Sequence, residues 1–145
     1  RQLESIESMK DTMVNLPSGS LNLHQLVAIL NQLPLDITFV DHEDRVRYFN
    51  QRSARHFPRN VSILGRLVEH CHPPKSVDIV KRIVDAFKSG EKDHARFYIS
   101  FQKHYLLIDY YALKDAHGTY LGVLETSQDI QELKTIEGEK RLLDW

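Results

Sequence analysis

Two amphipathic segments open the chain. Hydrophobic residues first recur every three or four positions, which predicts a helix that ends near Pro17-Ser18-Gly19. A second stripe of the same spacing predicts a helix capped by Ser20 or Asn22 and ended by Pro34. We therefore expect an N-terminal helical extension over residues 1–33. The apolar positions of the two stripes are Leu3, Ile6, Met9, Met13 and Leu16, followed by Leu23, Leu26, Val27, Leu30 and Leu33.

From residue 35 the pattern changes to the alternation that is typical of strands. A long helix is predicted between the second and third strands, from Pro73-Pro74 to Ser89-Gly90. Asn50 offers an N-cap to a short helix, and a last amphipathic helix is predicted from Ile130 towards Trp145. The five predicted strands lie near residues 36–40, 45–49, 95–101, 104–113 and 119–128.

The order of these elements favours one α+β domain. Five strands with helical material after the second predict a single antiparallel sheet with helices on one face, enclosing a small apolar core or pocket. We assign residues 34–128 to this core and residues 129–145 to a C-terminal helix. The length of 145 residues agrees with one domain, extended by helices at its ends.

Composition and charge exclude several classes of function. The net charge is −1, and no Lys/Arg run has the density of a phosphate-binding stripe, so we expect no nucleic-acid partner. The apolar stretches are too short for a membrane span or a signal peptide. The single cysteine, Cys71, agrees with a reducing, cytoplasmic location. Because the sequence begins at Arg1 rather than Met, we expect it to be part of a longer protein.

The motifs between these elements resemble, in order and spacing, those of the PAS sensory domain over about residues 35–131. The acidic turn Asp41-His42-Glu43-Asp44 comes first, and Asp115-Ala116-His117-Gly118 with Asp129-Ile130-Gln131 resembles the last hairpin and closing signal of the family. The resemblance implies a PAS core over residues 34–128 that acts as a non-catalytic sensory or regulatory module. A small ligand or cofactor would sit between sheet and helices, and the terminal helices, including the C-terminal signalling helix, would relay the signal. Further matches are Asn50, Ala54, Gly65-Arg66, His72-Pro73-Pro74 and Gly122.

Four segments are similar to the PAS module that ends a group of bacterial and archaeal proteins. The upstream region of those proteins often carries a hemerythrin-like, iron-binding domain. This similarity implies that the intact protein has such an upstream domain, senses redox state or another signal, and keeps its iron chemistry outside this sequence. The segments are Leu16–Leu21, Pro34–Asp41, Cys71–Val77 and Glu137–Arg141.

Six residues are candidates for the ligand pocket. Four of them are apolar and on predicted core elements, where they either line a pocket or simply pack together, and plain packing is favoured for any one of them. The carboxylate of Asp109 lies within an apolar strand and must face water or be paired. We expect it to point outward; inward placement beside Tyr111 would provide a polar anchor for a ligand. The apolar candidates are Phe39, Val80, Ile83 and Leu124.

The resemblance leaves the cofactor open. Photosensory PAS domains place a flavin-reactive Cys soon after a Gly-Arg pair and a flavin-reading Gln on the last strand. Here Cys71 lies six residues beyond Gly65 and Leu124 takes the place of that Gln, so flavin is not expected. Haem or a metal ion is compatible with His70, Cys71 and His72, because imidazole and thiolate are good ligands. The alternative is a structural cysteine between two loop histidines.

Catalysis is not expected, because neither a phosphate-binding glycine loop nor a nucleophile elbow is present. The first apolar stripe instead indicates assembly, since so short a helix is marginal in water alone and should dock on its own domain, an upstream domain or a second copy. We predict a homodimer through Leu3, Ile6, Met9 and Met13. The alternative to a sensor is therefore a ligand-free dimerisation or docking domain.

Overall fold

The N-terminal part combines two helices with a hairpin. The computed structural model describes residues 2–145 and, among these, the side chains from residue 7 onward. Helix α1 spans Gln2–Asp11, and strands β1 (Met13–Leu16) and β2 (Gly19–Asn22) form an antiparallel hairpin. Helix α2 spans Leu23–Gln32.

A five-stranded antiparallel sheet follows, in the order β4-β3-β7-β6-β5. It confirms the predicted α+β fold. The long helix lies between β4 and β5 in sequence, as the hydrophobic pattern predicts. The elements are β3 (Asp36–Asp41), β4 (Val46–Phe49), α3 (Pro74–Ser89), β5 (His94–Phe101), β6 (His104–Lys114) and β7 (Tyr120–Asp129).

The helix boundaries follow from local chemistry. Asn22 caps α2 by accepting a hydrogen bond from the backbone N–H of Gln25, whose side chain accepts one from Asn22 N–H in return. Helix α3 begins at Pro74, and Gly90 ends it with a φ of 79°. Only glycine adopts this left-handed conformation at little cost, so the helix ends where the sequence predicts.

The hydrophobic core lies between α3 and one face of the sheet, which we call the inner face. Phe87, Val84 and Val80 of α3 are buried against Val40 and Val123, which are paired across β3 and β7. Side chains alternate between the two faces along each strand, so the neighbours of Val40 and Val123 point to the opposite, outer face.

The first helix is shorter than predicted, since the hydrophobic pattern extended it to about Pro17. Helix α1 ends at Asp11, and Met13 and Leu16 lie on β1 rather than on a helix. Pro17 cannot continue a helix, and the turn that it opens lets β1 pair with β2, with Val14 opposite Leu21. Cross-strand pairing thus replaces the last turns of the helix.

The short helix predicted after Asn50 is absent, since residues 50–60 contain no helix. The Asn50 side chain is fully buried and accepts a hydrogen bond from the N–H of Ile37, 13 positions earlier, at 2.8 Å. Because this oxygen faces β3, it does not cap a helix that starts at Asn50.

The predicted C-terminal helix is reduced to one 3-10 turn at Leu133–Thr135. Gly138 has a φ of 68°, and the remaining residues up to Trp145 contain no helix. Leu142 and Leu143 are 83% and 75% exposed, so their apolar side chains have no surface in this chain to stabilise a helix by packing.

Candidate functional site

A small cavity lies inside the core, between α3 and the inner face. Its volume is about 20 Å³, which is room for roughly one water molecule. Val80 and Ile83, two of the predicted pocket residues, line it. The complete lining is Val40, Val68, His72, Val80, Ile83, Val84, Tyr110, Val123 and Glu125.

Three polar side chains reach this otherwise apolar cavity. Tyr110 and Glu125 are paired across β6 and β7, so they lie side by side on the inner face. Burial raises the pKa of Tyr110 well above its usual value, and the nearby Glu125 carboxylate raises it further. The tyrosine is therefore a hydrogen-bond donor at neutral pH. The third polar side chain is His72. A hydrogen bond from its Nδ1–H to the carbonyl of Val68, at 2.9 Å, orients its ring.

An arginine-rich loop, residues 51–60, covers the part of the inner face next to the cavity. Arg59 bonds to the Glu125 carboxylate at 3.2 Å, and Arg52 bonds to the fully buried carboxylate of Asp36 at 2.9 Å. Arg55 lies between them, where burial lowers the pKa of its guanidinium, and it donates to the Asn50 side chain at 2.9 Å. The loop is thus attached to the sheet by charge-assisted hydrogen bonds.

These arginines belong to no motif that is recognisable in the sequence. Their spacing of three and four positions, at 52, 55 and 59, is the only local signal. That spacing is also typical of an exposed helix face, and their acidic partners lie 16 to 66 positions away.

A wider groove of about 790 Å³ lies outside the core, between α3 and β5. Ile83 lines both this groove and the small cavity. Ile79 and Phe97 add partly exposed apolar surface on its two sides. Among the described residues, Ile83 is therefore the one side chain that the groove and the small cavity share.

Four predicted pocket residues do not line the cavity. Phe39, Leu124 and Tyr111 are successive partners across β3, β7 and β6, and Asp109 belongs to the same face of β6 as Tyr111. That face is the outer one, opposite α3, because the adjacent Val40 and Val123 point inward. These four candidates therefore lie on the face away from the cavity, because alternation defines which residues share a face but not which face is covered by the helix.

Asp109 points outward, as expected, but is paired rather than exposed to water. Its Oδ1 accepts hydrogen bonds from His94 Nε2–H at 2.6 Å and Arg96 Nε–H at 2.7 Å, and only 4% of the residue is exposed. Burial by itself would raise the pKa of Asp109, but the hydrogen bonds from Arg96 and His94 hold that pKa below its usual value. The His94 ring also stacks on Tyr111, with ring centroids 4.8 Å apart.

The three predicted metal or haem ligands are not brought together. His70 is exposed and lies 3.8 Å from Glu69, whereas the Cys71 thiol lies 3.7 Å from the carbonyl of Leu67. Only His72 lines the cavity. Within the part of the chain that the structure describes, no cluster of potential metal ligands includes any of the three.

The predicted dimer residues do not form one helical stripe. The side chains of Leu3 and Ile6 lie outside the described residues. Met9 is half-buried on α1, whereas Met13 is 55% exposed on β1. None of the helices among residues 2–145 is long and apolar enough to cross a membrane.

The chain belongs to the PAS domain family, whose model matches residues 26–131. Among solved structures, the C-terminal domain of a Streptococcus mutans protein is similar to it, with a TM-score of 0.81 and 34% sequence identity. That match covers 88% of this chain and 99% of the other. No protein among the curated ones matches this chain.

More distant structures share the fold. A sensory box sensor histidine kinase from Vibrio cholerae matches with a TM-score of 0.53 and 19% identity, covering 78% of this chain and 91% of the other. The PAS domain of BvgS from Bordetella pertussis matches with a TM-score of 0.56 and 15% identity, covering 77% and 90%.

Proposed function

We propose that this PAS domain is a non-catalytic sensory or regulatory module of a larger cytoplasmic signalling or redox-sensing protein. In this proposal it binds a small ligand between α3 and the inner face and passes the signal through its terminal segments. The observation that carries the proposal is the convergence of His72, Tyr110 and Glu125 on an apolar cavity. A few convergent polar groups in an apolar hollow are typical of small-molecule sites.

The cavity chemistry favours a small, mainly apolar ligand with one hydrogen-bonding group. Tyr110 supplies a donor, and Glu125, already bonded to Arg59, supplies an acceptor. A volume of about 20 Å³ is too small for such a ligand, so binding requires side chains to move. Ile83, which lines both the cavity and the outer groove, is the side chain whose rotation would join the two.

Haem and a metal ion are the two cofactors that the predicted ligands would suit. Of the three predicted ligands, only His72 lines the cavity, so we propose it as the residue that would contact a metal ion or haem there once the cavity opens. We propose no flavin, because Leu124 takes the position of the flavin-reading Gln and lies on the outer face, away from α3. We also propose neither a nucleic-acid nor a membrane partner.

We further propose that a hemerythrin-like domain precedes this module in the intact protein, so that iron chemistry in one domain is reported by the other. The similar Streptococcus mutans structure is a C-terminal domain, which supports the proposal that this module also lies at the end of a longer protein. The sequence similarity of the four segments named above supports the identity of the upstream domain.

A ligand-free dimerisation domain is the second candidate. The α1–α2 region exposes Met13, Leu16, Val27 and Ile29, of which Met13 is 55% and Leu16 is 48% exposed. Exposed apolar side chains in one region favour a protein partner, and a second copy of this chain would cover them symmetrically.

Native mass spectrometry of protein purified without denaturant separates the two candidates. We expect a mass excess over the bare chain in the wild type and its loss in Val80→Phe, which fills the cavity. The matched control is Val61→Phe, at a position that is 62% exposed. A dimer with no mass excess, dissociated by Ile29→Glu, would contradict ligand binding and support the dimerisation domain.

A further inference from the structure

Two histidines and an aspartate meet at one end of the sheet, away from the cavity. His56, His104 and Asp129 each offer a ligand atom, and these atoms lie within 4.8 Å of one another. The rings of His56 and His104 are 4.9 Å apart, and His104 Nδ1–H donates to Asp129 Oδ2 at 2.6 Å. Among the residues that the structure describes, this is the one such group of three.

Strand pairing and local hydrogen bonds position His104 and Asp129. His104 begins β6 and Asp129 ends β7, so the β6–β7 pairing places the two together. The Asp129 carboxylate also accepts a hydrogen bond from Gln131 N–H at 3.0 Å, which fixes its orientation.

His56 comes from the arginine-rich loop and is positioned by its own backbone. Its N–H donates to the buried carboxylate of Asp36 at 3.2 Å. The adjacent Phe57 ring lies 5.6 Å from Phe101, at the end of β5. These two contacts keep the His56 ring beside His104, with the three ligand atoms within 4.8 Å of one another.

We propose that His56, His104 and Asp129 form a binding site for a divalent first-row transition-metal ion, with Zn²⁺ or Co²⁺ as suitable probes. Imidazole nitrogen and carboxylate oxygen are good ligands for these ions. Metal–ligand bonds of about 2.1 Å require ligand atoms about 3.4 Å apart in a tetrahedral site. The three ligand atoms now lie within 4.8 Å of one another. They would adopt the tetrahedral separation when the imidazole rings rotate and the metal ion replaces the proton shared by His104 and Asp129.

Access to the site does not require unfolding. The His104 side chain is 46% exposed and that of Asp129 is 29% exposed, so an ion enters directly from solvent. Three protein ligands leave a fourth position for water or another small ligand. A bound ion would cross-link the loop that covers the inner face to the residue at which β7 ends.

The test is a titration of the purified domain with Co²⁺, followed by absorption, and with Zn²⁺, followed by calorimetry. We expect one ion per chain and a higher unfolding temperature with metal, because the site exists only in the folded state. His104→Ala and Asp129→Asn should each weaken binding at least tenfold. Circular dichroism checks that both variants are folded.

Two control variants change histidines outside the proposed site. His117→Ala changes an exposed histidine of the β6–β7 turn and should bind the metal as the wild type does. A His70→Ala/His72→Ala double variant should also retain binding. Binding that is absent, that survives His104→Ala and Asp129→Asn, or that is lost in the double variant would overturn the proposal.

Discussion

Asn50 and Ile37 are joined by two reciprocal hydrogen bonds. The Ile37 N–H donates to the Asn50 side chain at 2.8 Å, and the Asn50 N–H donates to the Ile37 carbonyl at 3.2 Å. The same side chain donates to the carbonyls of Leu30 at 2.9 Å and Leu35 at 3.0 Å. One buried amide therefore connects helix α2, the linker after it, strand β3 and the end of β4.

Replacing Asn50 by alanine should be strongly destabilising. The substitution leaves the Ile37 N–H and two carbonyls without their partner, and each unsatisfied buried group costs about 1–3 kcal/mol. We expect a loss of about 3 kcal/mol or more in the free energy of unfolding, measured by urea denaturation. The control is Asn60→Ala, an exposed asparagine that caps a 3-10 turn, which should cost about 1 kcal/mol. Equal effects of the two substitutions would contradict this role of Asn50.

Asp109 should make stability depend on pH in the acid range. Burial opposes its ionisation, but hydrogen bonds from Arg96 and His94 outweigh that effect and lower its folded-state pKa below the ordinary 3.8. Its contribution is therefore fully present above about pH 3.8 and is lost as the pH falls through the lower folded-state pKa.

At pH 7 we expect Asp109→Asn to be less stable than the wild type by about 2 kcal/mol, since it weakens two charge-assisted hydrogen bonds. Thermal unfolding measured across the acid range should show this difference shrinking below the ordinary pKa of aspartate. Asp85→Asn, at an exposed position of α3, is the matched control and should show little difference at any pH. A difference for Asp109→Asn that is independent of pH would rule out the ionised pair as its source.

Gly122 should not tolerate a side chain. Its φ is 143°, and a Cβ there would lie 2.0 Å from the carbonyl oxygen of Val40 on β3. Because that neighbour is backbone, relief requires β3 and β7 to separate, and we expect Gly122→Ala to cost about 3 kcal/mol. Gly118→Ala meets no atom within 4 Å and should cost only about 1 kcal/mol for its positive φ. Comparable unfolding midpoints for the two variants would show that the close approach of Gly122 to the Val40 backbone does not limit the side chain at this position.

Phe87 should contribute most of the attachment of α3 to the sheet. It is 1% exposed at the centre of the core cluster, so Phe87→Ala should lower the free energy of unfolding by about 3–5 kcal/mol. Phe97→Ala removes the same group from a position that is 37% exposed and should cost clearly less. Chemical denaturation of both variants measures the two losses. A larger loss for Phe97→Ala than for Phe87→Ala would contradict the central position of Phe87 in the core.

The sheet could be predicted because its signals are local. Alternation in β5, the Asp115–Gly118 turn and the Gly90 helix end each depend on residues within a few positions of one another. The helix α3 was predictable for the same reason. Its buried residues Val80, Val84 and Phe87 follow the helical period, and two of the predicted pocket residues lie on it.

The features that could not be predicted depend on contacts between residues that are distant in sequence. The faces of Phe39 and Leu124 are decided by where α3 packs, which the strand pattern does not contain. Asn50 has the residue type of a helix cap, but its side chain bonds to the backbone of Ile37 and Leu30, which are 13 and 20 positions earlier. His56 and Asp129 are 73 positions apart and meet only because the sheet brings the loop and β7 to the same end.

Strand β7 lies between β3 and β6, and its consecutive residues serve opposite sides of the molecule. Glu125 faces the cavity beside Tyr110, while its neighbours Leu124 and Thr126 face the surface that carries Asp109 and His94. Any twist of β7 that repositions Glu125 must therefore reposition Leu124 and Thr126 as well. A single peptide bond of β7 therefore connects a residue that lines the cavity with a residue on the outer face of the sheet.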